Sequence, residues 1–94
     1  MLEKKYETQL IKDLKEAFPG CYVQKNDPKI RQGLPDLLIL YRNRWAMLEV
    51  KQTRTSKRQA NQEYYLEEFG RMSYASLVYP ENQALVFDEL RRVF

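Results

Sequence analysis

The chain has 94 residues, with 16 Lys and Arg against 13 Asp and Glu, one Cys and no His. That length allows one small domain spanning residues 1–94, and a lone Cys cannot form an internal disulfide. The missing His excludes Ser-His-Asp triads and most zinc sites, so a metal would need carboxylate and carbonyl ligands, which favours Mg2+ or Mn2+.

A hydrophobic fraction of 44% is too high for a disordered chain. From Leu2 to Phe18, Tyr6, Leu10, Ile11, Leu14 and Phe18 recur at helical spacing, and Pro19-Gly20 ends the pattern. Cys21 to Lys25 is a short strand candidate, and Asn26 to Pro35, with its Pro, Gly and charges, reads as a loop. Leu37 to Tyr41 is a continuous apolar run that suits a strand buried on both faces. Arg42-Asn43-Arg44 predicts a tight turn, and Trp45 to Lys51 returns as the second arm of a hairpin.

Beyond the polar stretch Gln52 to Lys57, Thr55 or Ser56 is available to cap a helix over Arg58 to Phe69, with Gly70 at its C′ position. Ser73 to Tyr79 predicts a further strand that Pro80 breaks. A last helix over Asn82 to Phe94 is carried by Leu85, Val86, Leu90 and Val93. The order α-β-β-β-α-β-α describes a mixed α/β domain with a small central sheet. No apolar run approaches the roughly 18 residues of a membrane span. The segment MLEKKYETQL lacks the apolar core of a signal peptide, so a soluble, cytoplasmic protein is expected.

Two segments carry chemistry: Pro35-Asp36, and Glu49-Val50-Lys51 thirteen residues beyond that aspartate. Residues two apart on a strand share a face, so Glu49 and Lys51 project together with Trp45 and Met47, while Ala46, Leu48 and Val50 take the other face. A two-residue turn places Asp36 opposite Glu49 or Lys51; a strict three-residue loop pairs it with Val50 and calls for a bulge. Two carboxylates and the Val50 carbonyl would make a hard-oxygen site for Mg2+ with room for a phosphate. Lys51 could orient the attacking water or stabilise developing charge, and metal-assisted phosphodiester hydrolysis uses these parts most naturally.

Glu7 falls near the middle of the first helix's apolar arc, with Glu3 beside it, so one acid should aim at a metal or a lysine; Glu7, deeper in the helix, is preferred. Gln59 and Gln62 share an arc with Leu66 and Phe69, which turns an amide inward below the basic loop. Such a Gln could hold the attacking water, bond Lys51 or touch a phosphate.

Together, Gln-Gly-Leu-Pro-Asp-Leu-Leu-Ile-Leu (Gln32 to Leu40), Met-Leu-Glu-Val-Lys (Met47 to Lys51) and a Gln-bearing helix ending at Gly70 resemble the virus-type replication-repair nuclease (VRR-NUC) domain, a branch of the PD-(D/E)xK superfamily. The resemblance covers most of the chain. It implies a restriction-endonuclease-like core and Mg2+- or Mn2+-dependent hydrolysis of DNA, with no small-molecule cofactor. Asp36 and Glu49 would be metal ligands, Lys51 the catalytic lysine and Glu7 the acid of the first helix. Lys25 matches a lysine preceding the Gly-x-Pro-Asp stretch. Gln62 matches the helix glutamine, although Gln59-Ala60-Asn61-Gln62 replaces the family's usual Ser-Pro-x-Gln and leaves Gln59 as the alternative.

Stand-alone members of this kind, common in phages, act as dimeric nucleases on branched DNA, including Holliday junctions. Size also favours a homodimer, because one 94-residue protomer offers little footprint for a duplex and resolving a junction takes two coordinated cuts. Tyr64 and the aromatic C-terminus are possible interface material. DNA grip is expected from Arg54, Lys57 and Arg58 on one side of the site and Lys25, Lys29 and Arg31 on the other, within a net charge of +3. Lys4, Lys5, Lys12 and Lys15 read as a solvated face. A general nickase or single-strand nuclease in repair or packaging, and a non-catalytic basic DNA-binding module, are the competing readings.

Overall fold

The computed structural model describes residues 2–57 and 59–94. Its elements are α1 (Glu3–Ala17), β1 (Tyr22–Lys25), β2 (Leu37–Tyr41), β3 (Arg44–Val50), α2 (Ala60–Met72), β4 (Ala75–Val78), a 3-10 turn (Pro80–Asn82) and α3 (Gln83–Val93). The strands form one mixed sheet in the order β1-β2-β3-β4, antiparallel except for the parallel β3/β4 pair. The expected order of elements is therefore the observed one. No helix among the described residues is long and apolar enough to cross a membrane.

One face of the sheet carries the core. Leu37 and Ile39 of β2 and Ala46, Leu48 and Val50 of β3 are fully buried against Leu10 and Leu14 of α1 and Val86 and Leu90 of α3. Each fully buried Leu, Ile or Val side chain among these contributes roughly 1.5–3 kcal/mol. Phe18 closes the far end, its ring 5.8 Å from Tyr41, 6.0 Å from Phe87 and 5.2 Å from Phe94. Phe87 and Phe94 are thus packed in or against the core rather than presented as an interface.

The opposite face is only partly covered. Phe69 of α2 meets Trp45 edge-on at 6.1 Å and stacks on Tyr65, but no residue of α2 is fully buried. Leu40 stays 42% exposed, which corrects the expectation that β2 is buried on both faces: α2 follows β3 and β4 and leaves the outer part of β2 open. Tyr64 is exposed.

Three local expectations are corrected. Gly70 does not end α2; the helix runs on to Met72, and the Ser73 N–H bonds the Phe69 carbonyl while the Ser73 hydroxyl donates to the Trp45 carbonyl. Thr55 and Ser56 do not cap α2, whose N-cap is Gln59; Ser56 Oγ instead accepts the Thr53 N–H at 3.0 Å and closes a turn of its own. Leu85 is exposed, and Val86, Phe87 and Leu90 form the buried stripe of α3, because the 3-10 turn at Pro80–Asn82 sets the rotation at which that helix begins.

Candidate metal and phosphate site

The hairpin turn sets the site. Tyr41 pairs with Arg44 and Leu37 with Leu48, so the connection has two central residues, Arg42 and Asn43. Arg42 adopts φ +57°, the left-handed geometry that tight hairpin turns use at their first central position. Continuing this register brings Asp36 level with Glu49, which selects the two-residue alternative. Asp36 then substitutes for strand pairing: its Oδ2 accepts the Val50 N–H at 2.8 Å. Met47 and Lys51 direct their N–H groups to β4, so the Val50 carbonyl leaves the strand on the Asp36 side.

Glu49 on β3 and Lys51 just beyond it project beneath the first turn of α2, 2% and 8% exposed. Lys51 Nζ lies 3.4 Å from Glu49 Oε2, 3.1 Å from Gln62 Oε1 and 3.2 Å from the Lys57 carbonyl. Three acceptors around an ammonium satisfy its three N–H donors. Gln62 Nε2 donates to Glu49 Oε2 at 2.5 Å, and Gln62 Oε1 also accepts the Gln59 N–H at 3.1 Å. Gln62 is therefore the amide that enters the cluster, and Gln59 stands at the helix cap.

Glu49 Oε1 is buried and has no hydrogen-bond partner among the described residues. An ionised oxygen in that position is costly. Burial, and next the charge of Asp36, push the Glu49 carboxyl up to about 7, with Lys51 opposing. Asp36 is also raised, by burial first and by the charges of Glu7 and Glu3, while the Val50 N–H opposes. A divalent cation would answer both observations: it supplies charge where two acids are crowded and a partner for the orphaned oxygen. Asp36, Glu49 and the Val50 carbonyl are the oxygens that fit it.

Glu7 meets a lysine, one of the two partners that its position on the arc predicts. Its carboxylate pairs with Lys25 Nζ at 3.3 Å, across a cavity of about 600 Å3 that both share with Glu3, Lys4, Asn26, Pro28 and Asp36. Among the described residues no three His, Cys, Asp or Glu side chains form a ligating group, and Glu7 and Asp36 line one cavity. Lys25, Lys29, Arg31, Arg54 and Lys57 are all exposed around the site. Arg58 lies outside the described residues.

Two supporting residues had little sequence signal. Asn26 donates its side-chain amide to the Pro35 carbonyl and its N–H to the Asp36 carbonyl, both at 2.8 Å, and so fixes the backbone that carries Asp36. Gly33 is buried at φ +88°, and a Cβ there would meet Asn61 Cβ at 2.3 Å. The Asp36 loop and the Gln62 helix thus touch backbone to backbone. The Gly in Gln-Gly-Leu-Pro hints at a turn; the close approach to α2 is a tertiary fact. No family model, curated protein or solved structure matches the chain.

Proposed function

We propose that this chain is a Mg2+- or Mn2+-dependent endonuclease of the PD-(D/E)xK kind, resembling the VRR-NUC branch, that cuts branched DNA as a homodimer. The observation that carries the reading is the buried Glu49 carboxylate, clamped to Lys51 through one oxygen and unpartnered at the other, with Asp36 opposite across the hairpin. A structural ion pair would be expected to satisfy both oxygens. A solvated surface pair would not be sealed from water.

Asp36, Glu49 and the Val50 carbonyl would hold the ion, with Glu7 as the nearest further acid. When bound, the ion would neutralise charge on the scissile phosphate and lower the pKa of the attacking water. Lys51, beside the ion and the phosphate, would orient the attacking water or stabilise the charge developing on the phosphate oxygens. Gln62 keeps Lys51 and Glu49 in register. Lys25, Lys29 and Arg31 on one side and Arg54 and Lys57 on the other suit phosphate contacts that position DNA without reading sequence. A protomer measuring 31 × 30 × 23 Å offers one such site, and a junction needs two symmetric cuts.

The test is incubation of the protein with a four-way junction, a flap, plain duplex and single strand, in Mg2+, Mn2+ or EDTA, with Asp36→Asn and Lys51→Ala in parallel. Metal-dependent cutting of the junction that both variants lose is expected. Equal cutting of every substrate would replace junction selectivity with a general nuclease. Binding without cutting under any metal would leave a basic DNA-binding module.

A further inference from the structure

A second cavity, of about 500 Å3, lies on the other flank of Lys51 from Asp36 and is lined by Thr53, Arg54, Thr55, Tyr79 and Glu81. Thr53 is two residues past Lys51, so its backbone lies within about 7 Å. Lys51 also donates its N–H to the Val78 carbonyl at 2.9 Å, which sets Tyr79 beside it. Tyr79 is extended, with φ −147° and ψ 167°, and the Val50–Val78 pairing therefore puts its side chain on the Glu49 and Lys51 face.

Both walls are built rather than loose. On one side Thr53 N–H bonds Ser56 Oγ at 3.0 Å, and Thr53 Oγ1 lies 3.3 Å from Thr55 Oγ1 and 3.2 Å from Ser56 Oγ. Arg54 and Thr55 form the tip of that turn. On the other side Asn82 Oδ1 accepts the Tyr79 N–H at 2.8 Å, and Asn82 Nδ2 donates to the Leu77 carbonyl at 3.1 Å. Volume and lining suit a single small ligand.

The lining is mixed in an informative way. Arg54 and the hydroxyls suit a phosphate, whereas the Glu81 carboxylate repels one. An aromatic ring, a carboxylate acceptor and a cation with hydroxyls match the parts of a nucleotide: base face, base-edge N–H donors and phosphate. We infer that this cavity is a subsite for one unpaired nucleotide next to the scissile phosphate, with Tyr79 stacking on the base, Glu81 accepting from its edge and Arg54 holding its phosphate. The inference rests on the nuclease reading for its substrate. A base offers its face and its edge together only when it has left the stack, as it does most readily at a branch, gap or nick. The subsite would thereby supply selectivity for branched DNA without a groove-reading helix.

The test measures binding in EDTA, where no cutting is expected, so it stands apart from the cleavage assay. Four-way junctions are prepared with an abasic position at each nucleotide flanking the branch in turn. One abasic position is expected to weaken binding by the wild-type protein about tenfold, the order of a lost base–aromatic stack. Tyr79→Ala should bind the intact junction correspondingly more weakly and become insensitive to that abasic position, Glu81→Ala should lose only the edge contact and keep part of the sensitivity, and Tyr79→Phe should restore the stacking component. If no abasic position matters to the wild type, or Tyr79→Ala remains as sensitive as the wild type, the subsite is refuted while metal-dependent cutting can still stand. Base-sensitive binding by a protein that cuts nothing would retain the subsite and reject the nuclease.

Discussion

Glu49, on β3, and Lys51, just past its end, hold their charged ends 3.4 Å from one another with both side chains almost sealed from water. Taking an acid and a base out of solvent together is stabilising only when their remaining polar atoms are satisfied. Lys51 meets that condition, and Glu49 does not. The imbalance is what makes the pair a site, and it has measurable consequences.

The first concerns pH. Glu49 titrates near 4.5 when unfolded and at about 7 when folded, because burial and the Asp36 charge disfavour its ionised form. Between those values the folded chain keeps a proton that the unfolded chain has lost. The resulting stabilisation, on the order of a few kcal/mol, is complete below about pH 4.5 and is lost as pH rises through 7. Thermal unfolding in EDTA should show Tm falling from about pH 5 to pH 8. Glu49→Gln should flatten that decline; an equal decline in both proteins would refute the assignment.

Metal binding should carry the opposite dependence. A ligating carboxylate must be ionised, so Mn2+ affinity read from the Tm increase should rise about tenfold per pH unit below 7 and level off above it. Glu49→Gln should abolish the increase. A Mn2+ affinity unchanged between about pH 6 and pH 8 would count against Glu49 as a ligand.

Asp36 combines a metal role with a backbone role, and two substitutions separate them. Asp36→Asn keeps an oxygen for the Val50 N–H and should change stability little while eliminating metal-dependent cutting. Asp36→Ala strands that N–H and should cost a further roughly 1–3 kcal/mol in urea unfolding. Equal stability for the two variants would show that the hydrogen bond contributes nothing.

Gln62 acts through its neighbours, bonding Glu49, Lys51 and the Gln59 N–H. Gln62→Ala should lower metal affinity or cutting by about 10–100-fold, the usual cost of losing a group that orients a ligand. Gln59→Ala should leave both within a few-fold, because Gln59 stands at the cap.

Gly33 and Gly20 offer a paired test of close packing. Both have positive φ, but a Cβ on Gly20 meets nothing within 4 Å, whereas one on Gly33 collides with Asn61. Gly20→Ala should cost about 1 kcal/mol of conformational strain. Gly33→Ala should cost several kcal/mol and also reduce cutting, since relief would push the first turn of α2, and Gln62 with it, away from Lys51. Similar Tm losses for the two would disprove the contact.

The amino-acid order alone determined what is local. Helical spacing from Tyr6 to Phe18, the apolar run Leu37 to Tyr41, and the two-residue period that puts Glu49 and Lys51 on one face are properties of neighbouring residues, and they predicted the elements and the acid-x-lysine pair. Tertiary structure decided how those pieces meet. Whether Asp36 opposes Glu49 or Val50 depended on Arg42 accepting a left-handed conformation, a choice that the strands flanking the turn impose. Gln62 rather than Gln59 entered the cluster because α2 begins at Ala60, which leaves Gln59 as its extended N-cap and turns Gln62 toward Glu49. Glu7, on the expected arc, met Lys25 instead of a common ligating group because β1 presents that lysine at the mouth of the cavity. Gly70, a local stop signal, was overridden by α2 continuing to Met72, where the Ser73 side chain bonds Trp45. Periodicity is written along the chain; register, rotation and long-range pairing are set by contacts between segments distant in it.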